Sequence, residues 1–154
     1  MKYALVTGGS RGIGRAICLK LADMGYNILI NYVSNESNAQ EVNALVVSKG
    51  VHAEIMKFDV GNAQEVDKVL SKWIENNPTN TIEILVNNAG IRKDGLMMFM
   101  SDDDWNGVMN ANAGGFFTAY SAGKWRYIFL ALATDAHCFV HFPAKAVSRM
   151  NLLT

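Results

Sequence analysis

The sequence predicts an α/β fold, a parallel β-sheet with helices on both faces. Three observations predict it. Short apolar runs alternate with helical stretches along much of the chain, the pattern of β-α-β crossovers. The first run, Tyr3–Val6, passes directly into a turn carrying Gly8, Gly9, Gly12 and Gly14, and a helical pattern follows at once. Half of the 154 residues are hydrophobic and 18% are charged, which suits one globular domain with a real core.

The elements follow in order. Tyr3–Val6 reads as a strand. Gly12–Met24 reads as a helix with Ile13, Ile17, Leu21 and Met24 on one face, stopped by Gly25. Asn27–Tyr32, rich in Ile and Leu, is a second strand. Asn35 or Ser37 can cap a helix running to Lys49, ended by Gly50. His52–Phe58 alternates as a third strand. Asn62–Asn76 carries Val66, Val69, Leu70 and Trp73 at helical spacing, with Pro78 beyond its end. Ile82–Val86 is a fourth strand, and a polar loop with Gly90 and Gly95 follows it. Ser101 heads another helix, with Asp104 three residues on as a weak capping box. Beyond Asn112 the periodicity fades. A fifth strand at Cys138–Phe142 and a short helix at Pro143–Met150 are expected there. The expected division is a dinucleotide-binding portion over 1–117 and an atypical tail over 118–154.

The balance of charge narrows the partners. Lys and Arg equal Asp and Glu, so nothing favours nucleic acid or an anionic membrane. The apolar stretch Tyr127–Ala133 is far too short to span a bilayer. No cleavable leader precedes the first strand, and Cys18 and Cys138 lie far apart in sequence, so a cytoplasmic chain with free thiols is expected. Cys18 reads as a small packed hydrophobe. His137, Cys138 and His141 have no further ligand nearby, and no metal site is expected. Met97, Met98 and Met100 read as packing or as a lid surface.

The glycine turn carries the chemistry. Glycine lets the backbone turn sharply and approach a ligand closely. A helix starting near Gly12 would aim unpaired N–H groups and a partial positive charge at whatever sits there. The spacing G-x-x-x-G-x-G is neither the commonest dinucleotide fingerprint nor a P-loop. On glycines alone, a phosphate cradle and a plain strand-to-helix turn both remain open.

Thr7-Gly8-Gly9-Ser10-Arg11-Gly12-Ile13-Gly14, then Asp59-Val60, then Asn87-Asn88-Ala89-Gly90 resemble, in order and spacing, the motifs of the short-chain dehydrogenase/reductase family. Ile91 to Met98, through Trp105, is similar to the 3-oxoacyl-[acyl-carrier-protein] reductases of bacterial fatty-acid synthesis. The resemblance covers residues 1 to about 117. It implies a Rossmann-like sheet, NADP as cofactor, hydride transfer to a β-keto thioester, and an acyl-carrier-protein-linked substrate. It implies that Gly8, Ser10, Arg11, Gly12, Ile13 and Gly14 wrap the pyrophosphate and adenosine end of the cofactor. Asp59 and Val60 would contact the adenine, and Asn88, Ala89 and Gly90 the adenosine ribose side. Asn112 would hold a water in a proton relay.

Two features favour NADP over NAD. A guanidinium at Arg11 can pair bidentately with a 2′-phosphate. NAD binders usually place a carboxylate at the end of the second strand. Here Asn31-Tyr32-Val33-Ser34 stands there, with Ser34 as a neutral contact. Taken alone, Arg11 could also be a solvated loop cation.

The resemblance stops after about residue 118. The family uses a Ser, a Tyr and a Lys to polarise and protonate the carbonyl. The family spacing from Asn112 to its Tyr reaches about Asn151 to Leu153, and no Tyr follows Tyr127. The expected fifth strand runs into Pro143 rather than a Ser. Tyr120-Ser121-Ala122-Gly123-Lys124 has the right local text only eight residues beyond Asn112. Coincidence and an internal deletion both explain it, so no catalytic role is carried onto Tyr120 or Lys124. A frameshift near Gly114–Thr118 would also account for the tail. The expected function is therefore an NADP-dependent β-keto thioester reductase by lineage, in a chain lacking the Ser/Tyr/Lys site. A non-catalytic NADP-binding module and an unstable fragment are the alternatives, and family oligomerisation is in doubt.

Overall fold

A computed structural model of the chain describes residues 1–90, 101–110 and 114, together with the backbone of two later strands, 127–131 and 139–143. In chain order the elements are β1 (Lys2–Val6), α1 (Gly12–Asp23), β2 (Asn27–Tyr32), α2 (Glu36–Val47), β3 (Ala53–Lys57), α3 (Ala63–Asn76), β4 (Thr81–Asn87), α4 (Asp102–Met109), β5 (Tyr127–Ala131) and β6 (Phe139–Pro143). They build a Rossmann-like sheet of order β3-β2-β1-β4-β5-β6. The sheet is parallel from β3 to β5, and β6 runs antiparallel on its edge.

β1, β2 and β4 are buried on both faces, as central parallel strands are. Successive side chains of a strand point to opposite faces. On one face Tyr3, Leu5, Leu29, Met56 and Leu85 meet Val66, Leu70 and Trp73 of α3. On the other, Ala4, Val6, Ile28, Ile30 and Val86 meet Cys18 and Ala22 of α1 and Val42 and Val46 of α2. Trp73 packs edge-on against Tyr3 with ring centroids 5.0 Å apart. Its indole N–H donates to Glu54 Oε2 at 3.0 Å, so the buried polar tip is satisfied.

Helix ends obey the local chemistry of the sequence. Asn35 caps α2 by accepting from the Asn38 N–H, which decides between the two candidate caps. Asn62 caps α3 through the Glu65 N–H, and the Glu65 carboxylate reaches back to the Asp59 N–H and to Asn62 Nδ2. Ser101 caps α4 through the Asp104 N–H. Gly25 and Gly50 take φ of +85° and +86°, the left-handed conformation that ends a helix.

Two expectations need correction. The buried face of α1 is Gly14, Cys18 and Ala22, with Ile17 and Leu21 only partly buried at its sides. Ile13 and Met24, expected on that face, are 56% and 61% exposed. The small residues win because α1 lies close on the sheet, where an Ile would not fit. A further strand, β5, forms from the apolar run Tyr127–Ala131, so Cys138–Phe142 is not the fifth strand. The corresponding element is β6, Phe139–Pro143, which pairs with β5. Pro143 is the last residue of β6, and the rest of the helix expected over Pro143–Met150 lies outside the described residues. Ile91–Met100, Asn112, the Tyr120–Lys124 segment, His137, Cys138 and residues 144–154 lie outside the described residues.

Leu70 is fully buried between α3 and the sheet. Leu70→Ala is expected to lower the unfolding free energy by about 2–5 kcal/mol in urea denaturation. Lys72→Ala, exposed on the same helix, should change it by less than about 0.5 kcal/mol.

Candidate functional site

The carboxyl ends of β1 to β4 open into one cleft of about 890 Å³. Its position follows from topology. The chain runs outward from β1 to β2 and β3 on one side and crosses back from β3 to β4 on the other, so the loops after β1 and β4 diverge and leave a crevice at that point.

The glycine turn forms the floor. Gly8 and Gly12 take φ of +63° and +54°, which side chains rarely adopt. At Gly14 the constraint is steric. A Cβ there would collide with the Gly8 carbonyl oxygen and lie 2.5 Å from Asn88 Nδ2. The first turn of α1 thus presses against the turn that precedes it.

Thr7 and Asn88 lock this contact. The Thr7 hydroxyl donates to the Val86 carbonyl at 3.2 Å and accepts from the N–H groups of Asn88 and Ala89 at 2.9 and 3.0 Å. Asn88 Nδ2 donates to the carbonyls of Thr7 and Gly8 at 3.0 and 3.2 Å. The neighbouring Asn87 is buried, and its Nδ2 has no hydrogen-bond partner among the described residues.

The start of α1 differs from the other helix starts. Its cap residue, Arg11, makes no capping hydrogen bond with its side chain, and its first turn carries no acid. The starts of α2, α3 and α4 each have a side-chain cap and an acid. The first-turn N–H groups of α1 keep their hydrogen-bonding capacity and their partial positive charge. The arrangement suits an anion held at Gly12–Gly14.

The cleft brings together every residue singled out for cofactor contact. Gly8, Ser10, Arg11, Gly12, Ile13 and Gly14 line it from the turn and α1. Ser34 lines it from the end of β2, Asp59 and Val60 from the end of β3, and Asn88, Ala89 and Gly90 from the end of β4. Asn112 falls outside the described residues. Asp59 Oδ1 accepts from the Gly61 N–H at 2.8 Å, which shapes the loop it heads. Ile13, missing from the core, projects here instead.

Other lining residues were not singled out for cofactor contact in the sequence. Asn31, Tyr32, Val33, Asn35 and Asn38 come from the β2–α2 connection, Gly61 and Asn62 from the start of α3, and Gly107 and Asn110 from α4. The signal for Asn31 was a polar residue inside an otherwise apolar strand. Burial, and then the hydrogen bond and negative charge of Glu36, push the Tyr32 phenol above its ordinary value. Glu36 follows β2 closely, at the first residue of α2. Among the described residues no cluster of acids, His and Cys could hold a metal. No helix among them is long and apolar enough to cross a membrane.

Residues 2–125 match the short chain dehydrogenase family. The chain belongs to that family. Among short-chain dehydrogenases it is 40% identical over 116 residues to the 3-oxoacyl-[acyl-carrier-protein] reductase FabG of Staphylococcus epidermidis, covering 75% of this chain and 47% of that one. To the 3-oxoacyl-[acyl-carrier-protein] reductase of Synechocystis it is 39% identical over 121 residues, covering 79% and 48%. The chain spans about half the length of the curated relatives it matches. A crystal structure of a metagenomic short-chain oxidoreductase in complex with NADP superposes with a TM-score of 0.73 at 25% identity, over 79% of this chain and 54% of that one.

Two outcomes test the floor of this short-chain dehydrogenase cleft. Gly14→Ala should destabilise the protein by about 1–3 kcal/mol in urea denaturation, because backbone rather than a flexible side chain blocks the new methyl. Burial pushes the Cys18 thiol, 3.9 Å from the Gly9 carbonyl, up to about 12. A raised value keeps the thiol protonated at neutral and mildly alkaline pH. Iodoacetamide at pH about 8 should therefore leave the Cys18 peptide unmodified in the native protein and label it after denaturation, as read by mass spectrometry.

Proposed function

We propose that this chain binds NADP in the cleft and descends from NADPH-dependent reductases of β-keto thioesters carried on acyl carrier protein. The observation that carries the reading is the uncapped, acid-free start of α1, pressed into the glycine turn with Arg11 at its head. The residues fit a dinucleotide. The N–H groups of Gly12–Gly14 would hold the pyrophosphate. Asp59 and Val60 would flank the adenine, and Asn88 to Gly90 the ribose.

The preference for a 2′-phosphate rests on charge. Arg11 forms no ion pair with any acid among the described residues. Ser34 offers a neutral hydroxyl just after β2, and Glu36 is not among the residues that line the cleft. A phosphate at the head of α1 would meet the Arg11 guanidinium, and the end of β2 carries no carboxylate beside it. The NADP in the related metagenomic oxidoreductase supports this choice.

When bound, NADPH supplies the hydride that reduces a keto carbon. This chain's part is to bind the cofactor's adenosine half and fix its orientation. The relatives named as 3-oxoacyl-[acyl-carrier-protein] reductases support the substrate class, and a cytoplasmic setting goes with it. We place the carbonyl-activating Ser, Tyr and Lys outside the residues that match the family motifs here. Asn112 keeps its proposed role as the relay residue.

Titration of NADPH fluorescence should show saturable binding, with NADPH tighter than NADH by about 10-fold or more. Arg11→Ala should weaken NADPH by about 10–100-fold, the worth of about 1.5–3 kcal/mol for hydrogen bonds to a charged group, and leave NADH nearly unchanged. Absence of saturable NADPH binding overturns the reading. NADPH absorbance should stay constant with an acetoacetyl thioester. Steady consumption would instead assign a complete reductase site to the chain.

A further inference from the structure

One buried carboxamide joins the two halves of the cleft. Pairing between β1 and β2 ends at Val6 and Ile30. At the next position β1 has turned away into the glycine turn, and Asn31, fully buried, stands beside the gap. Its Oδ1 accepts from the Gly8 N–H at 3.1 Å, and its main-chain carbonyl accepts from the Gly9 N–H at 2.9 Å. On the opposite side its Nδ2 donates to the Phe58 carbonyl at 2.9 Å and to the Met56 carbonyl at 3.4 Å. A single side chain thus grips the glycine turn and the end of β3.

Both ends of that grip matter to the cleft. Gly8 opens the turn that leads into α1. Phe58 directly precedes Asp59 and Val60. The carboxamide length therefore sets how far the turn stands from the Asp59 loop. An apolar side chain of similar volume could fill the space, but it would leave the Gly8 N–H without its acceptor and hold neither side. The polar group has a directional task that packing alone does not explain.

We propose that Asn31 is a positioning residue for the dinucleotide. It holds the phosphate cradle and the adenine-side loop at the separation that lets one ligand engage both at once. The proposal rests on the NADP reading of the cleft. A ligand that spans two subsites gains from their fixed spacing, because the second contact forms at high effective concentration. A fragment that touches one subsite gains nothing from it.

The test compares NADPH with adenosine, which lacks phosphates and so cannot engage the phosphate cradle and the adenine-side loop at once. NADPH is titrated by fluorescence and adenosine by NMR, with wild type, Asn31→Leu and Asn31→Thr. Threonine fits a strand, but its shorter side chain cannot span both sides. Asn31→Leu should weaken NADPH by about 10-fold or more while adenosine changes by less than about 3-fold, since only the spanning ligand loses its pre-set spacing. If the leucine variant fails to fold, the threonine variant should show the same split. Unchanged NADPH affinity, or equal losses for both ligands, would overturn the positioning role. A wild-type protein that binds no NADPH would overturn the cofactor reading itself, before any variant is compared.

Discussion

β1 lies inside the sheet, with β2 on one side and β4 on the other. At its end three stretches of backbone converge: the glycine turn, the start of α1, and the Asn88–Ala89 step after β4. The space between them does not admit a Cβ at Gly14. This close approach is the constraint from which the remaining features follow. It requires a small residue where α1 meets the turn, and small residues continue along the same face at Cys18 and Ala22. Those residues let the helix axis lie near the sheet. The helix start is then held at the mouth of the cleft, where its free N–H groups can act.

The opposite end of β4 contributes to the same contact. Tyr3 pairs with Ile82, but Ala4 pairs with Ile84, so Glu83 is an extra residue in β4. The parity of the core shows it. Ile82 and Leu85 share one face although they are three residues apart. A bulge shifts every later residue by one position. The shift brings Val86 opposite Val6 and sets Asn88 beside Thr7 and Gly8. Glu83 is buried, with Lys2 Nζ 3.4 Å from its carboxylate. A bulge near the start of β4 thus sets the register of the groups at its carboxyl end.

Much of the described fold is legible in the sequence because its signals are local. Asn62 and Ser101 announce helix starts, Gly25 and Gly50 announce helix ends, and β2 reads directly from Asn27–Tyr32. The face of α1 was not legible in this way. Hydrophobic periodicity favours Ile13 and Met24, whereas the close approach of backbone favours Gly14, and that approach appears only when β4 is in place. β5 reads as a short apolar run with no alternation, a pattern that periodicity alone does not assign to a strand. The cleft residues on the motifs were legible one by one. Asn31 was not, since its importance lies in joining two segments that are far apart in sequence.

The uncapped helix start shows how stability and binding compete for the same groups. Side-chain caps at Asn35, Asn62 and Ser101 satisfy N–H groups that would otherwise face water or a ligand. Each such cap typically stabilises a protein by about 1 kcal/mol. At α1 the cap position holds Arg11, whose guanidinium donates hydrogen bonds and cannot accept one. An Asp or Ser there would satisfy the helix locally, but it would fill the anion position with the protein's own oxygen. An Asp would also repel a phosphate. Arg11 leaves the donors open and adds a positive charge beside them. The stability withheld at this helix start returns when an anion binds, because a ligand that binds only the folded state stabilises it. On the proposed NADP reading, the local incompleteness of the glycine turn would itself be the recognition element.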